Sequence, residues 1–179
     1  MFCRHVSDNL AIGIVFRLDD DLSLHRVIEE VTIPNGTSWS LDNKTMYLTD
    51  SPSATIKAYP YDPVTGHLSL SDGTTFFSVE GGVPDGHCQD EEGCLWVAGH
   101  STGKVFRVNP QGEITAEIEL PTRCVTCPAF CGTELFITSM AELEPEKYPE
   151  STKLQGALFK IDVGVRGSPL NKFKMKMKP

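Results

Sequence analysis

The sequence has no apolar run long enough to cross a bilayer as a helix, and its opening, Met1-Phe2-Cys3-Arg4-His5-Val6, has no continuous hydrophobic stretch of the kind that directs secretion. A soluble, cytoplasmic protein is the expectation. Positive charge is scarce: 16 Lys and Arg stand against 24 Asp and Glu, for a formal net charge of −8. That balance argues against nucleic acid as a partner, because phosphate binding needs a basic face. A complete zinc signature is missing too. Cys124 and Cys127 have knuckle spacing, but Cys88 and Cys94 do not repeat it and no His pair follows at finger spacing. Without a secretory signal, the six cysteines (Cys3, Cys88, Cys94, Cys124, Cys127, Cys131) read as free thiols buried in strands. What remains is 179 residues with 40% hydrophobic and 22% charged content, enough for one globular domain with a sizeable core.

The strongest positive signal is a repeat. Gly13-Ile14-Val15-Phe16-Arg17-Leu18-Asp19, Gly103-Lys104-Val105-Phe106-Arg107-Val108-Asn109 and Gly156-Ala157-Leu158-Phe159-Lys160-Ile161-Asp162 share one pattern. Each reads glycine, any residue, aliphatic, Phe, cation, aliphatic, then Asp or Asn. Ala54-Thr55-Ile56-Lys57-Ala58-Tyr59 is a degenerate fourth copy. A second segment type precedes three of them: Met46-Tyr47-Leu48-Thr49, Leu95-Trp96-Val97-Ala98 and Leu135-Phe136-Ile137-Thr138. Aromatic and β-branched runs this short, bounded by turn residues such as Asp42-Asn43, Glu92-Gly93 and Cys131-Gly132, indicate strands.

Assembled, one four-stranded unit runs from Ile33 to a polar-to-apolar strand at 68–79. A second runs from Val83 to about Leu120 and ends in the alternating, exposed Glu113–Leu120. Four strands per unit is the pattern of a β-propeller blade. The flanking units are incomplete. Residues before Ile33 supply only the cationic strand and Leu24–Val31, and the unit after Pro121 has three strands and no fourth. The fold class is therefore all-β, a partial propeller forming roughly the C-terminal half of a larger ring. Residues 1–167 read as the incomplete propeller and 168–179 as a basic tail. Open sheet edges would favour self-association. The Glu- and Pro-rich segment at 141–155 reads as a solvated loop. The tail from Asn171 to Pro179, alternating lysine with apolar residues, reads as solvated and not as a membrane patch.

Ile33-Pro34-Asn35-Gly36 and Val83-Pro84-Asp85-Gly86 occupy equivalent places in the two complete units. Each sets a short oxygen-bearing side chain between a proline that stiffens the approach and a glycine that permits a sharp turn. Repeats that deliver one oxygen each to a shared axis suit a hard cation such as Ca²⁺. On the dipeptides alone, Asn-Gly and Asp-Gly also read as plain turn-formers. His87 reads as a packed, hydrogen-bonded histidine or a channel-lining one, and His100 as a solvated loop residue or part of the rim. Thr126 falls at the place equivalent to Asn35 and Asp85. Trp39 and Trp96 read as core or inter-blade packing. Asp19-Asp20-Asp21 lacks the spacing of a calcium loop.

These motifs, together with Thr37-Ser38-Trp39-Ser40, Asp50-Ser51 and Asp90-Glu91-Glu92-Gly93-Cys94, resemble the SMP-30/gluconolactonase/regucalcin-like family of six-bladed propellers. The resemblance extends from about Gly13 to Gly167. It implies a divalent cation at the mouth of the central channel, Ca²⁺ foremost with Zn²⁺, Mn²⁺ or Mg²⁺ as alternatives. Asn35 and Asp85 would be its ligands, and Asp85 would double as the catalytic base. It further implies hydrolysis of a small sugar lactone. The family's glutamate ligand belongs to a first blade to which no part of this sequence corresponds, and its substrate-contacting Arg and Asn, from the second and third blades, are likewise absent. A non-catalytic calcium-binding or interaction propeller is the alternative.

Overall fold

The computed structural model of the chain describes residues 13–175. Over that range fourteen strands form four antiparallel sheets, taken one after another along the chain. The first sheet pairs β1 (Gly13–Leu18) with β2 (Leu24–Val31). The second orders β3 (Pro34–Trp39), β4 (Thr45–Asp50) and β5 (Thr55–Asp62), with β6 (His67–Leu68) and β7 (Thr74–Ser78) both paired to β5. The third runs β8 (Val83–Gln89), β9 (Leu95–His100), β10 (Lys104–Val108) and β11 (Ile114–Glu119). The fourth has β12 (Val125–Cys131), β13 (Glu134–Ser139) and β14 (Leu158–Asp162), with a one-turn helix α1 (Pro149–Thr152) between the last two. Among the described residues no helix is long and apolar enough to cross a membrane.

The core explains why the aromatic segments lack alternation. Leu95 and Val97 of β9 pack with Tyr47, Ile56 and Phe77 of the second sheet, while Trp96 and Ala98 of the same strand pack with Val125, Leu135 and Ile137 of the fourth. A strand covered on both faces needs apolar residues at every position. Ile28 and Val31 close the series against Met46, Leu48 and Tyr59. Outer strand β11 is exposed along most of its length, as its alternating charges require. This is face-to-face packing of successive blades, with β3, β8 and β12 innermost.

The turns leading into three of the cationic strands hold a left-handed residue. Gly103 (φ +71°) and Gly156 (φ +73°) supply it at no steric cost. Ala54, in the degenerate copy, holds φ +53° at the same place.

One carboxylate fastens the third sheet from inside. Asp90 has no exposed surface and accepts from the backbone N–H groups of Glu92 (3.0 Å) and Cys94 (2.9 Å), from the Trp96 indole (3.0 Å) and from Arg107 Nε (2.9 Å). Buried charge is tolerated here because its lone pairs are matched by an ion pair and hydrogen bonds.

Several expectations change. The strand predicted at 68–79 is two pieces, β6 and β7, separated by a turn in which Gly73 donates to Leu70 O. Segment 141–155 is not simply solvated. Glu142 is buried and pairs with Arg123 at 3.2 Å, and the Arg123 guanidinium lies over the Tyr148 ring. Trp39 is on the rim, 38% exposed and edge-on to Tyr61, whereas Trp96 is core as expected. The five thiols among the described residues are free, but Cys127 and Cys131 are exposed while Cys94 and Cys124 are buried. Residues 171–175 are exposed and without regular structure. Met1 to Val6, including Cys3, and residues 176–179 lie outside the described residues.

Candidate functional site

The two Pro-x-Gly motifs lie within strands and not at turns. In β3, Pro34 faces Asp50 and Thr37 faces Leu48, so three steps along β3 match two along β4. In β8, Pro84 faces Gly99 and His87 faces Val97, which is the same excess of one residue. Each inner strand therefore carries a β-bulge at Asn35-Gly36 or Asp85-Gly86, a device that re-aims a side chain without ending the strand. β12 repeats it: Val125 faces Ser139 while Cys127 faces Thr138, which places the extra residue at Thr126.

The glycines serve close approach and not a turn. Neither Gly36 nor Gly86 has a left-handed backbone. A Cβ on Gly36 would lie 2.3 Å from His87 Nδ1, and one on Gly86 would lie 2.5 Å from Cys127 Sγ and 2.9 Å from Thr126 O. Each glycine thus lets the next inner strand come close to its own.

The bulges bring Asn35 and Asp85 together. A Cβ on Gly36 would lie 2.8 Å from Asp85 O, and Asn35 Nδ2 donates to Ser51 Oγ at 3.3 Å. Ser51 in turn donates to Pro84 O at 2.8 Å, so one hydroxyl ties the two motifs to each other. With an N–H directed at Ser51, Asn35 carries Oδ1 as a neutral oxygen donor on the strand beside a charged one. Burial pushes the Asp85 carboxyl above its usual range, and that push is opposed by the nearby His100, by the Asn35 amide and by the Gly86 N–H.

The Thr126 hydroxyl lies 2.7 Å from Thr138 Oγ1. His100 is at the rim, with Ser101 Oγ 3.0 Å from Nδ1 and the Met140 sulfur 3.4 Å from Nε2. Among the described residues no group of three or more His, Cys, Asp or Glu side chains is arranged to hold a metal. Asn35 and Asp85 are two hard oxygens that fit part of a Ca²⁺ shell of about 6–8 ligands.

His87 is a buried, hydrogen-bonded histidine. Ser38 Oγ lies 2.9 Å from Nε2 and Thr49 Oγ1 3.3 Å from Nδ1. Burial lowers its pKa to about 4, so the ring is neutral at physiological pH.

The family model described as "SMP-30/Gluconolactonase/LRE-like region" matches residues 1–141. The chain belongs to that family. It is 36% identical over 160 residues to regucalcin of Xenopus laevis, covering 87% of this chain and 54% of that protein. A luciferin-regenerating enzyme superposes with a TM-score of 0.81 at 29% identity, covering 92% of this chain and 55% of that one. A calcium-binding protein, regucalcin, of Agrobacterium tumefaciens superposes with a TM-score of 0.77 at 25% identity, covering 96% and 56%. The chain spans about half the length of the curated relatives it matches, and the partial-propeller reading of its repeats agrees with that.

Sequence reasoning placed Asn35 and Asp85 through the phase of the repeat and missed their connector, Ser51. It also gave no role to Asp90, or to Ser38 and Thr49 as partners of His87. The bulges were the available signal: an x-Gly pair at the same step of successive inner strands marks them. The polar partners lie on other strands and carry no local signature.

Proposed function

We propose that the chain carries part of the active site of a metal-dependent hydrolase that opens a small sugar lactone, with Asn35 and Asp85 as cation ligands. The observation that carries this reading is the placing of Asn35 and Asp85 at equivalent bulges on adjacent inner strands, tied to each other through Ser51. A divalent cation, Ca²⁺ or else Zn²⁺, Mn²⁺ or Mg²⁺, would supply Lewis acidity toward the lactone carbonyl. Ser51 Oγ accepts from the Asn35 amide at 3.3 Å, which would leave the amide oxygen for the cation. Asp85 accepts the proton of the attacking water as general base, and the cyclic ester opens to a hydroxy acid. The remaining ligands would come from a blade that these residues do not supply. The acidic balance and the family's small-molecule chemistry support a cytoplasmic enzyme with a lactone substrate and without nucleic acid or membrane partners. Self-association would involve the unpaired edge of β14. We place the end of the propeller unit near Gly167, which bridges to Asp90 and whose N–H donates to Gly132 O at 3.1 Å.

The second reading is a non-catalytic calcium-binding propeller, favoured by the want of a third acidic ligand among the described residues. Titration calorimetry with Ca²⁺ and an assay of δ-gluconolactone opening, on a protein in which these residues stand with the blade that supplies the remaining ligands and on its Asp85→Asn variant, separate the two. The hydrolase reading expects metal-dependent opening that falls by about 10²-fold or more in the variant. Opening at the parent rate in Asp85→Asn would remove Asp85 from the reaction. Calcium heat without turnover would favour the binding module.

A further inference from the structure

Further along the inner strands, three hydroxyl and imidazole groups meet that lactone opening does not use. Ser38 of β3, Thr49 of β4 and His87 of β8 are brought together across two sheets, with Ser38 Oγ 2.9 Å from His87 Nε2 and Thr49 Oγ1 3.3 Å from Nδ1. The arrangement is built into the fold. Gly36 leaves the space the ring occupies, since a Cβ there would lie 2.3 Å from Nδ1. Thr49 has no exposed surface and the ring is buried, whereas Ser38 keeps part of its surface. Ser38 and His87 line a cavity of about 720 Å³, walled on other sides by Phe130 and Leu170. No carboxylate is bonded to the ring among the described residues, so the imidazole offers one donor nitrogen and one acceptor. A hydroxyl within reach of a histidine that is itself oriented by a third group is the arrangement of an activated nucleophile.

We propose that Ser38 is a nucleophile, with His87 Nε2 as its proton acceptor and Thr49 accepting from Nδ1–H, and that this centre reacts covalently with activated esters that enter the cavity. With an alkyl fluorophosphonate the Ser38 Oγ–P bond forms as the P–F bond breaks. Fluoride leaves with the electron pair and the hydroxyl proton passes to Nε2. The proton is then released to solvent, leaving a neutral ring and a phosphonylated serine. The proposal is independent of the lactonase reading, because neither Asn35 nor Asp85 takes part.

The test is exposure of the 179-residue chain to an alkyl fluorophosphonate, followed by intact mass and peptide mapping over time. One adduct per chain, on Ser38, is expected. Ser40→Ala, which alters a surface serine bonded to Asp42, labels at the parent rate. His87→Gln slows labelling by about 10²-fold. Thr49→Val, close in shape, slows it by about fivefold through loss of one hydrogen bond. Near-UV circular dichroism checks that each variant keeps the parent fold, and Thr49→Val carries the test if His87→Gln does not fold. Absence of an adduct on Ser38, or labelling of Ser38 at the parent rate in the folded variants, overturns the proposal.

Discussion

Asp85 and Asp90 stand at the two ends of strand β8 and have opposite fates. Asp90 is wholly buried, yet it accepts from two backbone N–H groups, an indole and a guanidinium, and Arg107 Nη2 approaches to 2.8 Å. Asp85 is only half-buried, but the groups that favour its ionised form are few and its carboxyl is pushed up by burial. Partner number, and not depth, separates a carboxylate that fastens a blade from one left with lone pairs for a ligand.

The most forceful way to break this contrast is Asp90→Ala. It leaves Arg107, the Trp96 indole and two backbone donors without their acceptor, and a loss of about 3–5 kcal/mol in folding stability is expected. A change in denaturant midpoint worth less than about 1 kcal/mol would mean that the network is decorative. The second test is pH. The folded His87 titrates at about 4 against 6.5 for the free group, so the unfolded chain binds more protons between those values. Stability is full above pH 6.5 and falls as pH drops toward 4, by roughly 3 kcal/mol at about 1.4 kcal/mol per pH unit. A urea midpoint that stays level from pH 7 to pH 4.5 would contradict the burial of that ring.

Third, Gly86→Ala forces a methyl against Cys127 and the Thr126 carbonyl, an overpacking cost of about 1–3 kcal/mol by thermal or urea denaturation. The smallest expected effect is opposite in sign. Asp85→Asn removes a carboxylate whose ionisation burial opposes, so the metal-free variant melts above the parent at neutral pH. A carboxyl raised in the folded state favours the fold only while protonated, so the gain shrinks as pH falls toward 3.8. A lower melting temperature for Asp85→Asn would place that residue with Asp90 as a structural group.

The sheets were legible because three of the four repeat the same two strand types, and β4 and β9 carry apolar runs that the sheets on both sides bury. What was illegible depended on distant partners. The outer strand of the second sheet breaks at Gly73, where a Cβ would strike the Tyr59 ring at 2.4 Å, and nothing local announces that contact. Trp39 reads as core by type, but it is the last residue of β3 and ends on the rim. Glu142, in a stretch of prolines and acids, is buried only because Arg123 from the preceding loop pairs with it. At the candidate site, repeat phase marked Asn35, Asp85 and Thr126 alike, and each sits at a bulge of its inner strand, while the link through Ser51 had no local signature.

The extra residue in β3, β8 and β12 also sets how these strands tolerate insertion and deletion. Because side chains opposed across an antiparallel pair share a face, removing one residue at Asn35, Asp85 or Thr126 would restore an even ladder and leave the pairing beyond it in place. What such a deletion loses is the re-aimed side chain at that step. The same deletion beyond the bulge, at Cys88 or Ser38, would shift the register and turn the rest of the strand to the other face. A length change of one residue is thus tolerated by the ladder only where the extra residue already sits, and a spacing kept from one inner strand to the next marks the axis of the molecule.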